Sequence, residues 1–95
     1  MIEKMMHLAN LAYERELQRE LSQVQRHIDL YRDKESKFFN LKEIKLKFYR
    51  ETSDEIWGLY NRLAPDKAIE RAVALGLLTQ EELPQDVRET LEQAV

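Results

Sequence analysis

Two histidines and a few carboxylate groups at helical spacing are the residues of this 95-residue chain whose types suit chemistry. His7 and His27 would serve as metal ligands or as acid–base groups. They lie twenty residues apart on one candidate helix, about 30 Å, so one chain cannot bring both to one ion. Glu16/Glu20, Glu51/Asp54/Glu55 and Glu89/Glu92 recur three or four residues apart, which places each group on one helix face. Two such faces meeting in a bundle hold Mg²⁺ or a di-metal centre. Nucleophilic chemistry has less support. Cysteine is absent, and Ser22, Ser36 and Ser53 lack the flanking pattern of a nucleophile elbow. With only Gly58 and Gly76, no glycine-rich phosphate loop exists.

Glu51-x-x-Asp54 resembles one half of the motif of the helical nucleotide pyrophosphatases. That resemblance implies a metal-dependent hydrolase built on a helical bundle. The other half would be an inward-facing acidic pair on an earlier helix, and Glu16 and Glu20 fall beside the apolar seam described below. Exposed charged faces account for all these carboxylates. The expectation is therefore no catalytic residue, no metal ligand and no cofactor, with the bundle-type hydrolase as a second alternative.

Residues 32–50 are basic and aromatic. Lys37, Lys42, Lys45, Lys47 and Arg50 are the candidate nucleic-acid patch, with Phe38, Phe39, Phe48 and Tyr49 interleaved for stacking. The simpler account has the aromatics closing one end of a core while the lysines stay in water. Nucleic-acid association is the first alternative. The C-terminal residues 65–95 have a helix-turn-helix outline, but the would-be reading helix carries Glu81, Glu82, Asp86, Glu89 and Glu92 against one Arg88. That sign repels phosphate.

The elements that must position these groups are helices. Charged residues make up 35% of the chain and no alternating strand pattern occurs, a composition typical of helical proteins. Leu17, Leu21, Val24, Ile28 and Tyr31 follow steps of four, three, four and three, the seam of a helix that buries one narrow face against another. Met6, Ala9 and Tyr13 extend it upstream, and Tyr13–Leu17–Leu21 adds a stutter. A helix over 2–37 would be about 50 Å long, against a radius of gyration of about 12 Å for a compact domain of this size. The remaining helices must fold back along it, a second copy must cover it, or both.

Asn40 with Glu43, and Thr52 with Glu55, are capping-box candidates for a middle segment over 41–63, as one helix or two. Gly58 inside that pattern suggests close approach of a neighbour. Pro65 opens a short helix and Gly76 closes it. Thr79 with Glu82 forms another capping box, Pro84 falls inside or just after that turn, and the last helix runs through Val87 and Leu91 to about residue 93.

The fold expected is all-α: a long N-terminal coiled-coil-like helix with shorter helices packed as a bundle. It forms one domain over 1–95, comprising the seam helix 1–38, the middle segment 41–63 and an acidic arm 65–95. With Leu21 and Ile28 at position a, the flanks are Gln18, Gln25 and Arg32 at e and Glu20, His27 and Lys34 at g. No parallel opposite-charge pairing follows, so an antiparallel bundle is favoured over a parallel two-stranded coil. Leu17, Leu21, Val24, Ile28 and Tyr31 are the predicted dimer core.

Net charge is −3, but residues 1–50 carry eleven Lys/Arg against eight Asp/Glu, and residues 51–95 four against ten. Such halves attract each other within one chain or between copies. Trp57 flanks the apolar side of its helix. Burial is the common fate of a lone tryptophan, and an interface is the alternative. Trp57, Tyr60, Leu83, Val87 and Leu91 form the candidate partner surface. In outline the chain is similar to small prokaryotic antitoxins and accessory proteins that dimerise through helices and hold a partner. From the seam and the bundle, the expected reading is an all-α homodimer that acts by binding another protein. No signal-peptide core or membrane-length apolar run is evident, so a soluble cytoplasmic protein is expected.

Overall fold

The computed structural model describes residues 2–33 and 41–93. Among them the chain is all-helical and contains no strand. Helix α1 spans Ile2–Asp33, α2 Leu41–Arg62, α3 Pro65–Ala74 and α4 Gln85–Gln93, with a 3₁₀ turn at Gln80–Glu82 before α4. No helix among the described residues is long and apolar enough to cross a membrane.

α2 runs back antiparallel along α1. The Tyr49 hydroxyl donates to Gln25 Oε1 at 2.6 Å towards one end, and the Tyr60 hydroxyl to Glu16 Oε1 at 2.7 Å towards the other. The Tyr13 and Tyr60 rings meet edge-on with centroids 5.6 Å apart. Nothing interrupts α2 at Thr52, because residues on either side keep helical hydrogen bonding, so the middle segment is one helix. Gly58 is not a point of close approach, since a β-carbon there would meet no atom within 4 Å.

The chain then folds over the N-terminal half of α1. Ala64 takes an extended conformation (φ −65°, ψ 150°) and Pro65 starts α3. This matches proline's fixed φ and its aversion to a helical predecessor. α3 ends in a Schellman motif: Leu77 N–H donates to Ala72 C=O at 2.8 Å and Gly76 N–H to Val73 C=O at 3.1 Å. Gly76 has φ +75°, the left-handed conformation this motif requires. The Thr79–Glu82 capping box is present, but it closes the 3₁₀ turn; Pro84 intervenes and α4 begins at Gln85.

One continuous core results. Met5, Leu8 and Ala12 of α1 pack with Ile69, Ala72, Leu77, Leu78, Leu83 and Val87, flanked by Leu11, Tyr60, Val73 and Leu91. The buried face of α1 here is thus Met5–Leu8–Ala12, one residue out of phase with the expected Met6–Ala9–Tyr13. Both stripes are apolar, and α1 is approached from two sides: Met6, Ala9 and Tyr13 line a groove with α2. Beyond this head, α1 and the first half of α2 continue as a two-helix arm. The molecule measures 57 × 22 × 19 Å with a radius of gyration of 17.2 Å, well above the roughly 12 Å of a compact chain of this length.

Along the expected seam, Ile28 is buried and Leu17, Leu21 and Val24 are half-buried. α2 packs along this stretch of α1, so the chain itself covers part of the seam. The backbone of Tyr31 is helical, but its side chain lies outside the described residues, as do residues 34–40, including Asn40 and the expected end of the first helix.

Candidate interaction surface

A buried polar knot fixes the relation between head and arm. Glu16 is only 5% exposed. Its carboxylate accepts from the Tyr60 hydroxyl of α2 and pairs with the Arg71 guanidinium of α3. Three helices therefore meet on one carboxylate. Such a charge is tolerated in a core only when paired and hydrogen-bonded. Burial, and then the adjacent Glu16 carboxylate, raise the Tyr60 pKa far above its ordinary value, so the phenol keeps its proton. Arg71 went unsuspected from the sequence, and Glu16, read there as a carboxylate on an exposed face beside the seam, is instead buried. The available signal was its register: Glu16 continues the Met5–Leu8–Ala12 stripe by one further turn.

A second set of contacts ties the chain after α3 to α1. The Arg15 guanidinium donates to Leu77 C=O at 2.8 Å and grips both oxygens of Glu82 at 2.8 Å. Arg19 donates to Leu75 C=O at 2.8 Å. The last carbonyls of α3 and the turn after it thus gain cationic partners, as helix C-termini favour. Lys4 of α1 pairs with Asp86 of α4 at 3.0 Å. Arg15, followed by the Thr79 N–H, lowers the Glu82 pKa to about 2.

These contacts settle where the expected partner residues sit. Val87 is fully buried, Leu83 is 3% exposed, and Leu91 packs against the core. The apolar side of the C-terminal arm is turned inward, because α3 and α4 use it to cover α1. Leu83 and Val87 are core residues and are not presented to a partner. Tyr60 is half-buried in the polar knot. Trp57 stands out, at 59% exposed, contrary to the burial expected of a lone tryptophan. It borders an open groove of about 250 Å³ with Met6, itself 52% exposed, and with Ala9, Tyr13, Leu63 and Pro65.

The basic patch is less coherent than its composition suggested. Lys37 and the Lys42 side chain lie outside the described residues. Lys45 is half-buried and sits over the Tyr49 ring, 5.5 Å from its centroid. Lys47 is exposed and pairs with Glu51 at 4.0 Å. Arg50 is exposed. At about 100° per residue, Lys45 and Lys47 point to opposite sides of α2. Lys47 and Arg50, three residues apart, share one exposed face of α2, and Lys45 lies off it.

Among the described residues, no group of three or more His, Cys, Asp or Glu side chains is placed to hold a metal ion. His7 and His27 are both exposed.

No family model, curated protein or solved structure matches the chain. A functional reading must therefore come from the geometry. Besides Met6 and Trp57, the exposed large apolar residues among those described are Ile2, Leu30, Leu46, Phe48 and Leu75. Leu46 and Phe48 lie on the first half of α2, and Leu30 near the end of α1, so the arm carries three of them.

Proposed function

We propose that this chain is a helical protein-interaction module, acting as a homodimer and binding through the exposed face of its α1–α2 hairpin. It carries out no chemistry of its own. One observation supports this reading above others: Trp57 stands 59% exposed beside Met6 on an open groove of mixed polarity, which Asn10 and Asn61 also line. A tryptophan and a methionine left together in water mark a surface awaiting a partner. Tryptophan anchors in pockets also carry much of the energy of protein–protein contacts. The polar knot at Glu16 and the Arg15–Glu82 contact hold the head rigid behind this groove, which limits the ordering cost of binding.

The test is photo-crosslinking in living cells. A photoreactive residue at Trp57 is expected to give an adduct of defined mass, lost when Met6→Glu is added. The same probe at Glu92, exposed on α4, is expected to give none. No adduct at Trp57, or equal labelling from both positions, would overturn the reading.

A further inference from the structure

We infer that a second copy of this chain pairs antiparallel with the first along the outer face of α2. This inference rests on the interaction reading above and names the partner for that face. The residues are Leu46, Arg50, Asp54 and Trp57, all exposed. Their steps of four, four and three keep them on one side of α2, within a sector of about 80°. The order along the helix is apolar, cation, anion, apolar.

That order is self-complementary under a two-fold rotation. In an antiparallel register with Arg50 opposite the second copy's Asp54, symmetry places Asp54 opposite the second Arg50. The same register sets Leu46 beside Trp57 at each end. Two ion pairs then lie between two apolar contacts, and one surface serves both copies, as an isologous interface requires. A parallel arrangement would instead set Arg50 against Arg50 and Asp54 against Asp54, which like-charge repulsion disfavours. Within the chain, neither the Arg50 nor the Asp54 side chain has an ion-pair or hydrogen-bond partner among the described residues, although they are four apart. Both remain available across an interface. The contact runs over about 16 Å of helix from Leu46 to Trp57 and continues towards the groove at Met6.

Light scattering behind size exclusion on the full chain tests the pairing. Wild type is expected at twice the chain mass, with emission from the sole tryptophan shifting to the blue as concentration rises. Arg50→Asp or Asp54→Arg alone sets like charges opposite each other twice and is expected to weaken dimerisation by about tenfold or more. An equimolar mixture of the two variants restores complementarity and is expected to restore the dimer; so is the double swap within one chain. Both positions are exposed, and unchanged circular dichroism verifies that each variant folds. A wild-type monomer at every concentration, or single variants that dimerise like wild type, would overturn the pairing. If the Trp57 crosslink to a different protein survives that result, the partner-binding part of the interaction reading stands and its homodimer part falls with the pairing; if the crosslink is absent too, both fall.

Discussion

Glu16 and Arg71 form an ion pair across 55 residues of sequence, with Glu16 buried in α1 and Arg71 reaching it from α3. Tyr60 of α2 donates to the same carboxylate oxygen, and the Arg71 guanidinium lies 6.0 Å from the Tyr60 ring centroid. The angle at which α2 and α3 leave the long helix is therefore set at one atom. The groove at Trp57 opens beside this point, so the knot shapes the surface proposed to bind.

Arg71→Ala is expected to cost about 3 kcal/mol, because it leaves the Glu16 charge buried with only Tyr60 to satisfy it. Combining Glu16→Met with Arg71→Met removes both charges and is expected to cost less than Arg71→Ala alone. Urea unfolding of Glu16→Met, Arg71→Met and the double variant gives the coupling. Additive losses would show that the two residues act independently.

The Arg15–Glu82 contact predicts an acid-sensitive stability. The folded-state pKa of Glu82 is about 2, below its ordinary 4.5. A lowered carboxylate value contributes stability that is complete above about 4.5 and disappears as the pH falls towards 2. Thermal midpoints measured between pH 5 and 2 are expected to fall for wild type. They should fall less steeply for Glu82→Gln, which has no proton to gain.

Tyr60 predicts the opposite edge. Its folded-state pKa is raised from an ordinary value of 10.0. A raised value contributes stability that is complete below about 10 and is lost as pH rises through the folded-state value. In an ultraviolet titration of the four tyrosines, Tyr60 is expected to ionise only as the protein unfolds. Tyr60→Phe should remove that late component and flatten the alkaline loss of stability. A late component that persists in Tyr60→Phe would assign it elsewhere.

These pH responses arise from contacts that local sequence does not encode, and the same division runs through the fold. Pro65 and Gly76 marked the ends of α3 correctly because each dictates its own backbone angles. The Thr79–Glu82 box was legible for the same reason; it closes a 3₁₀ turn, and α4 starts at Gln85, just beyond Pro84. The phase of the buried stripe at the start of α1 was not legible. Met5–Leu8–Ala12 and Met6–Ala9–Tyr13 are equally apolar, and only the placement of α3 and α4 decides between them. Glu16 was read as exposed because a carboxylate becomes a core residue only when a distant arginine reaches it. Leu83 and Val87 looked available for a partner because their apolar face is visible in the sequence, while the α1 surface that covers it is not. Trp57 went the other way: the burial favoured for a lone tryptophan gave way to the exposed alternative, because no other described residue covers it.

The two glycines separate local from tertiary constraint, and substituting alanine at each is expected to move stability in opposite directions. Gly58 lies within α2, with no atom within 4 Å of the position a β-carbon would take. Gly58→Ala therefore adds helix propensity without a clash and should stabilise by about 0.5–1 kcal/mol. Gly76 also has open space around it, but its φ is +75°. Alanine there must adopt the left-handed conformation, at a cost of about 1–2 kcal/mol, or abandon the Schellman motif. The loss would extend beyond the turn, because Gly76 directs Leu77 and Leu78 into the core and presents the Leu77 carbonyl to Arg15. Urea midpoints of the two variants against wild type decide the matter. A destabilised Gly58→Ala would mean that a neighbour approaches α2 in solution, and a neutral Gly76→Ala would mean that the turn after α3 relaxes without disturbing the head.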